Sequence, residues 1–96
     1  MLTLDEIQNA VFKLATKYDV TKVDLFGSYA SNSATADSDV DFLVEFTKPV
    51  PSIFAVMGFR EELSLALGTS VDIVTVPVAK PELLNISEVK NVYSRT

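Results

Sequence analysis

Residues 39–46 alternate more cleanly than any other stretch of this chain. Val40, Phe42, Val44 and Phe46 fall on one face, and Asp39, Asp41, Leu43 and Glu45 on the other, because successive side chains of a strand point to opposite sides. A strand with one apolar row and one acid-bearing row is half-buried, and the rest of the chain can be arranged around it. Upstream, Thr3-Leu4-Asp5-Glu6 has the form of a capping box. Ile7, Val11, Leu14, Ala15 and Tyr18 then recur at helical spacing, which predicts an amphipathic helix over 4–18. Residues 23–26 predict a short strand that runs into Gly27-Ser28, and 29–38 predict a short helix or a loop.

Lys48-Pro49-Val50-Pro51 breaks the pattern, Ser52 is a suitable N-cap, and a second long helix over 53–67 is predicted to stop at Gly68. Phe54, Ala55, Val56, Met57 and Phe59 make the first turns of that helix apolar on nearly every side. Such a helix needs a sheet on one side and something else on the other. A third strand is predicted over 71–76, stopped by Pro77. After Lys80-Pro81 the spacing of Leu83, Leu84, Ile86, Val89 and Val92 predicts a terminal helix.

Ninety-six residues predict one domain, 1–96, with a modest core. Without cysteine there are no disulfides, thiolate metal sites or thiol catalysis, and without histidine general-base and metal-ligand duties fall to carboxylates. Thirteen acidic against eight basic residues give a net charge of −5, a field that repels nucleic-acid backbones and anionic membranes. The longest apolar stretch, 49–59, falls far short of the roughly 18 to 20 residues that a bilayer span requires, and residues 1–6 lack the basic opening of a signal peptide. A cytoplasmic protein is the expectation. Hydrophobic residues make up 48% of the chain, which suggests that some apolar surface meets another chain, a partner or a second copy.

The chemistry-bearing residues are Gly27-Ser28, Asp39-Val40-Asp41 and Asp72. Asp39 and Asp41, at i and i+2, would share a strand face with their backbones about 7 Å apart, close enough to reach metal between them. Hard divalent ions such as magnesium take oxygen ligands and leave positions for waters and substrate phosphates. Two such ions can hold an attacking oxygen and a leaving phosphate in line. Asp72 interrupts the aliphatic run Val71-Asp72-Ile73-Val74 and faces away from Val71, Ile73 and Thr75. An acid in such a strand calls for a reason, and metal binding with acceptance of a hydroxyl proton supplies one. Glycine after a strand permits close backbone approach, and the Ser28 hydroxyl with nearby N–H groups can hold phosphate oxygens.

These residues resemble the minimal nucleotidyltransferases of the DNA polymerase beta-like superfamily, through Leu25-Phe26-Gly27-Ser28-Tyr29-Ala30, Asp37-Ser38-Asp39-Val40-Asp41-Phe42-Leu43-Val44 and Val71-Asp72-Ile73-Val74. The resemblance spans 23–76. It implies an α+β fold, a small mixed sheet with helices packed mainly on one side. It also implies Mg²⁺, two ions, held by Asp39, Asp41 and Asp72, and ATP held partly by Gly27 and Ser28. Many members of this size are similar to the antitoxin of toxin–antitoxin pairs, with a HEPN-domain partner that receives AMP on a tyrosine. Where relatives commonly carry Arg-Gly this chain has Ser31-Asn32, so the cation for the triphosphate is expected from Lys48, Arg60, Lys80 or a partner's arginine. The alternative expectation is a binding module with a weak or inactive site that neutralises its partner by covering it.

Overall fold

The computed structural model describes residues 2–47, 51–76 and 89–95. The elements run α1 (Leu4–Ala15), β1 (Val20–Phe26), a 3₁₀ turn (Gly27–Tyr29), β2 (Val40–Phe46), α2 (Ile53–Leu67), β3 (Val71–Val76) and β4 (Lys90–Ser94). The sheet order is β3-β2-β1-β4. β1 is antiparallel to both β2 and β4, whereas β2 and β3 run parallel, joined through α2.

α1 begins where the capping box places it. The Thr3 hydroxyl accepts from the Glu6 N–H at 3.2 Å, and the Glu6 carboxylate accepts from the Thr3 N–H at 2.9 Å, which satisfies donors that a helix start leaves free. It ends at Ala15 rather than at the predicted residue 18. Asp19, at φ 56°, turns the chain, and Thr47 clasps that turn by donating its N–H to the Asp19 carbonyl at 2.9 Å. β1 therefore starts at Val20, three residues before the expected strand. A bulge between Val20 and Lys22 keeps Val20 in phase with Val23 and Leu25, so all three are buried.

α2 has the predicted limits. The Ser52 side chain accepts from the Phe54 N–H at 3.2 Å, and Gly68, at φ 70°, closes the other end with its N–H on the Ser64 carbonyl at 2.8 Å. The terminal region corrects the sequence reading. The part of the expected helix over 83–88 lies outside the described residues, but Val92 belongs to a strand. β4 pairs with the free edge of β1, aligning Val23 with Tyr93 and Leu25 with Lys90. Hydrogen bonds to a distant strand prevail there over a local helical spacing, the usual outcome when a short β-branched or aromatic run meets an open edge.

Both helices pack on one face of the sheet. Val23, Leu25, Val40, Phe42 and Val44 meet Ile7 and Val11 of α1 and Phe59 and Leu63 of α2 in a single core. The other face carries the second row of β2, namely Asp41, Leu43 and Glu45, flanked by Asp24 and Phe26 of β1 and by Asp72 and Val74 of β3. Among the described residues no helix is long and apolar enough to cross a membrane.

Candidate functional site

The parallel ladder between β2 and β3 makes Asp41 and Asp72 direct partners, with Val40 opposite Val71 and Phe42 opposite Ile73. Partners in register project to the same face, so two carboxylates from distant segments, Asp41 and Asp72, stand side by side on the open face. Asp72 is exposed and Asp41 half-buried. Partial burial pushes the Asp41 carboxyl above the usual carboxylate range, and the charge of Asp72, a hydrogen bond that protonated Asp41 donates to the Asp72 carboxylate, and the charge of Asp39 act in the same direction. Asp39 itself is exposed and lies one residue before β2, not within it as the sequence spacing implied. Among the described residues no three acidic side chains are drawn into a finished metal cage. The donor set nevertheless suits a hard divalent cation, being all carboxylate and raised in energy by mutual repulsion that such a cation relieves.

Gly27 sits against this pair. Its backbone has φ 74°, and a Cβ there would run into an Asp41 carboxylate oxygen. Any side chain would displace that carboxylate, so the glycine lets the Asp41 head group lie against the backbone as well as making the turn. Phe26, just before it, is the register partner of Asp41. Ser28 is half-buried in the 3₁₀ turn. The loop is tied to itself: the Ala30 and Ser31 N–H groups donate to the Gly27 carbonyl at 3.1 Å, and the Ser33 N–H to the Ser28 carbonyl at 2.9 Å.

The structure thus brings Gly27, Ser28, Asp41 and Asp72 to one end of the sheet, with Asp39 at its border. Of the cations expected near the loop, Lys48 and Lys80 lie outside the described residues and Arg60 is exposed on α2. Among the described residues the cation at the loop is Lys90, whose ammonium donates to the Asn32 side-chain oxygen at 3.3 Å. Sequence spacing gave no sign of this, because the contact exists only once β4 has paired with β1.

Residues 7–93 match the nucleotidyltransferase domain family. The chain belongs to that family. This nucleotidyltransferase is 38% identical over 78 residues to protein adenylyltransferase MntA of Thermococcus cleftensis, covering 77% of this chain and 78% of that protein. It is also 33% identical over 88 residues to a Methanocaldococcus jannaschii chain named for protein adenylyltransferase activity, covering 88% and 94% of the two. Among solved structures it is similar to a minimal nucleotidyltransferase, with a TM-score of 0.71 and 30% identity over 88% of each chain. A toxin–antitoxin complex with AMP-PNP has the same fold, with a TM-score of 0.76 at 24% identity over 93% of this chain and 74% of that one.

Proposed function

We propose that this nucleotidyltransferase moves AMP from ATP to a hydroxyl group, a tyrosine of a HEPN-type partner protein, and so acts as the antitoxin of a toxin–antitoxin pair. The observation that carries this reading is the side-by-side placement of Asp41 and Asp72 on the open face, with Asp39 beside them and Gly27 against Asp41. The similarity to adenylyltransferase MntA supports the choice of AMP, and the likeness to toxin–antitoxin complexes supports the choice of partner.

In this reading the acceptor oxygen attacks the α-phosphorus of ATP. A new P–O bond forms, the bond from the α-phosphorus to the bridging oxygen breaks, and pyrophosphate leaves. Asp72, which is exposed, would take the proton of the attacking hydroxyl. Asp39, Asp41 and Asp72 would hold Mg²⁺, two ions, which when bound supplies positive charge to the transferring phosphoryl group and the leaving pyrophosphate. Gly27 leaves room for the Asp41 carboxylate to lie against the loop backbone, and the Ser28 hydroxyl with the N–H groups of its turn would hold phosphate oxygens. The acceptor brings its own surface, because the site is open on the sheet face.

Incubating the protein with α-labelled ATP, Mg²⁺ and the product of the adjacent gene tests this directly. Label on the neighbour, released as AMP-tyrosine on hydrolysis, is expected. A folded protein that leaves its neighbour unlabelled would defeat the protein-modifying reading. A second reading, neutralisation by covering the partner, is favoured by Ile53, Phe54 and Met57, which are exposed together on α2 (68%, 83% and 49%). If Asp41→Asn still protects cells from the partner, covering suffices.

A further inference from the structure

The open face of the sheet is built in rows. Phe26, Asp41 and Asp72 are register partners in the first row, and Asp24, Leu43 and Val74 in the second, about 7 Å further along the strands. Leu43 and Val74 are half-buried and stand outside the core, whereas Ile73, between Asp72 and Val74, packs against it. We propose that Leu43 and Val74 receive the aromatic ring of the acceptor and so select a phenol over an aliphatic hydroxyl. The proposal rests on the transfer to a hydroxyl argued above and names the residues that choose which hydroxyl it is.

The direction of approach comes first. Gly27 follows Phe26 and lies against Asp41, so pyrophosphate held by Gly27 and Ser28 would leave on the β1 side of Asp41. In-line displacement puts the attacking oxygen on the opposite side of the α-phosphorus, which is the β3 side, where Asp72 stands. Val74 is the next residue of β3 on that face, and Leu43 is its register partner on β2, about 5 Å away. A phenol ring laid over this pair would direct its oxygen along β3, and ring and Asp72 carboxylate together span the distance between the rows. The apolar floor has a polar limit on the β1 side. Asp24, the next member of the row, is engaged by Lys22 at 3.6 Å and by the Asn91 amide, which donates to it at 2.9 Å. The floor is thus two strands wide, a width suited to one ring. As the phenol oxygen bonds to the α-phosphorus, its proton would pass to Asp72 and pyrophosphate would leave toward the loop. A serine or threonine hydroxyl brings no ring to bury on Leu43 and Val74, so the pair favours tyrosine by apolar area alone.

Transfer of α-labelled AMP to the product of the adjacent gene, with the acceptor concentration varied, reads this surface, and calorimetric titration with magnesium AMP-PNP reads the nucleotide site. Leu43→Ala and Val74→Ala are each expected to raise the acceptor KM about tenfold while AMP-PNP affinity stays unchanged. A cycle across the two proteins isolates the ring. Both changes should weaken calorimetric binding of the neighbour when its labelled tyrosine is present or replaced by phenylalanine, and have no effect when that tyrosine is replaced by alanine. Val74→Thr keeps the branched shape that suits a strand and should show the same pattern in smaller measure, so the test survives a truncated variant that fails to fold. Equal weakening of acceptor and AMP-PNP binding, or sensitivity that persists with the alanine neighbour, or folded variants with an unchanged acceptor KM, would overturn the assignment while leaving the transfer reading intact. An unaltered chain that leaves its neighbour unlabelled would overturn both.

Discussion

The two rows of β2 differ more than any two helices of the protein. Val40, Phe42, Val44 and Phe46 are buried against α1 and α2, while Asp41, Leu43 and Glu45 on the same seven residues face away from both helices. One row holds the fold together through apolar burial. The other holds like charges close to each other, which costs stability in the absence of a cation. A single strand thus separates stability from chemistry by the direction its side chains point, and substitutions on the two rows should have opposite signatures.

Asp41→Asn should give the largest effect. Transfer is expected to fall on the order of a thousandfold, because a carboxylate proposed to hold the cation loses its charge. Stability should not fall with it. The folded-state pKa of Asp41 is raised, so this group favours the fold at low pH and opposes it as pH rises through the carboxylate range; at pH 7 the amide removes that opposition. A thermal midpoint equal to or above that of the unaltered protein, with activity gone, is the expected pair of readings. A midpoint well below it would break the division between the rows.

Phe42→Ala, one residue away on the inner row, should do the converse. Phe42 is fully buried, and truncation of such a residue costs about 3–5 kcal/mol, measured as a shift in the urea midpoint. Molecules that remain folded should still bind nucleotide. Gly27→Ala links the rows, since it places a methyl group on Asp41 and demands φ 74° of an alanine. The conformational part costs about 1–2 kcal/mol, and the clash adds to it. In an Asp41→Ala background only the conformational part should survive, so a urea-midpoint cycle showing no coupling between the two changes would remove the proposed contact.

The smallest effect belongs to the helix layer. Glu62 is held below the usual carboxylate range first by Lys17 and then by Tyr18, which donates its hydroxyl to the other Glu62 oxygen. A depressed acid contributes stability above its ordinary value of 4.5 and loses it as pH falls through the lowered one. Glu62→Gln should therefore be less stable than the unaltered chain at pH 7, with the gap closing below about pH 4. A gap independent of pH would mean that packing of Tyr18 against Gly58, and not charge, ties the helices together.

What the sequence made legible was whatever depends on near neighbours. Ser52 and Gly68 mark the limits of α2 because caps are local chemistry, and the inner row of β2 shows in its alternation. Asp72 was recognisable as an acid that its strand did not need. Features set by distant pairing were hidden. The end of α1 depends on Thr47 closing over Asp19, and β4 exists because β1 offered an edge. Lys90 reaches the loop only through that pairing. Asp39, read as a strand residue, falls just outside it because β2 begins at its pairing with Val71.

The parallel ladder of β2 and β3 has a last consequence. Side-chain facing along β3 depends on counting, so one extra residue between Val71 and Asp72 would send that carboxylate toward Phe59 and Leu63 and an aliphatic side chain toward the open face. An insertion at the turn of the exposed Gly68 lies outside the ladder, which begins with Val40 opposite Val71. Drift in chain length among descendants of this protein should therefore accumulate at that turn and be purged from the six residues that follow it.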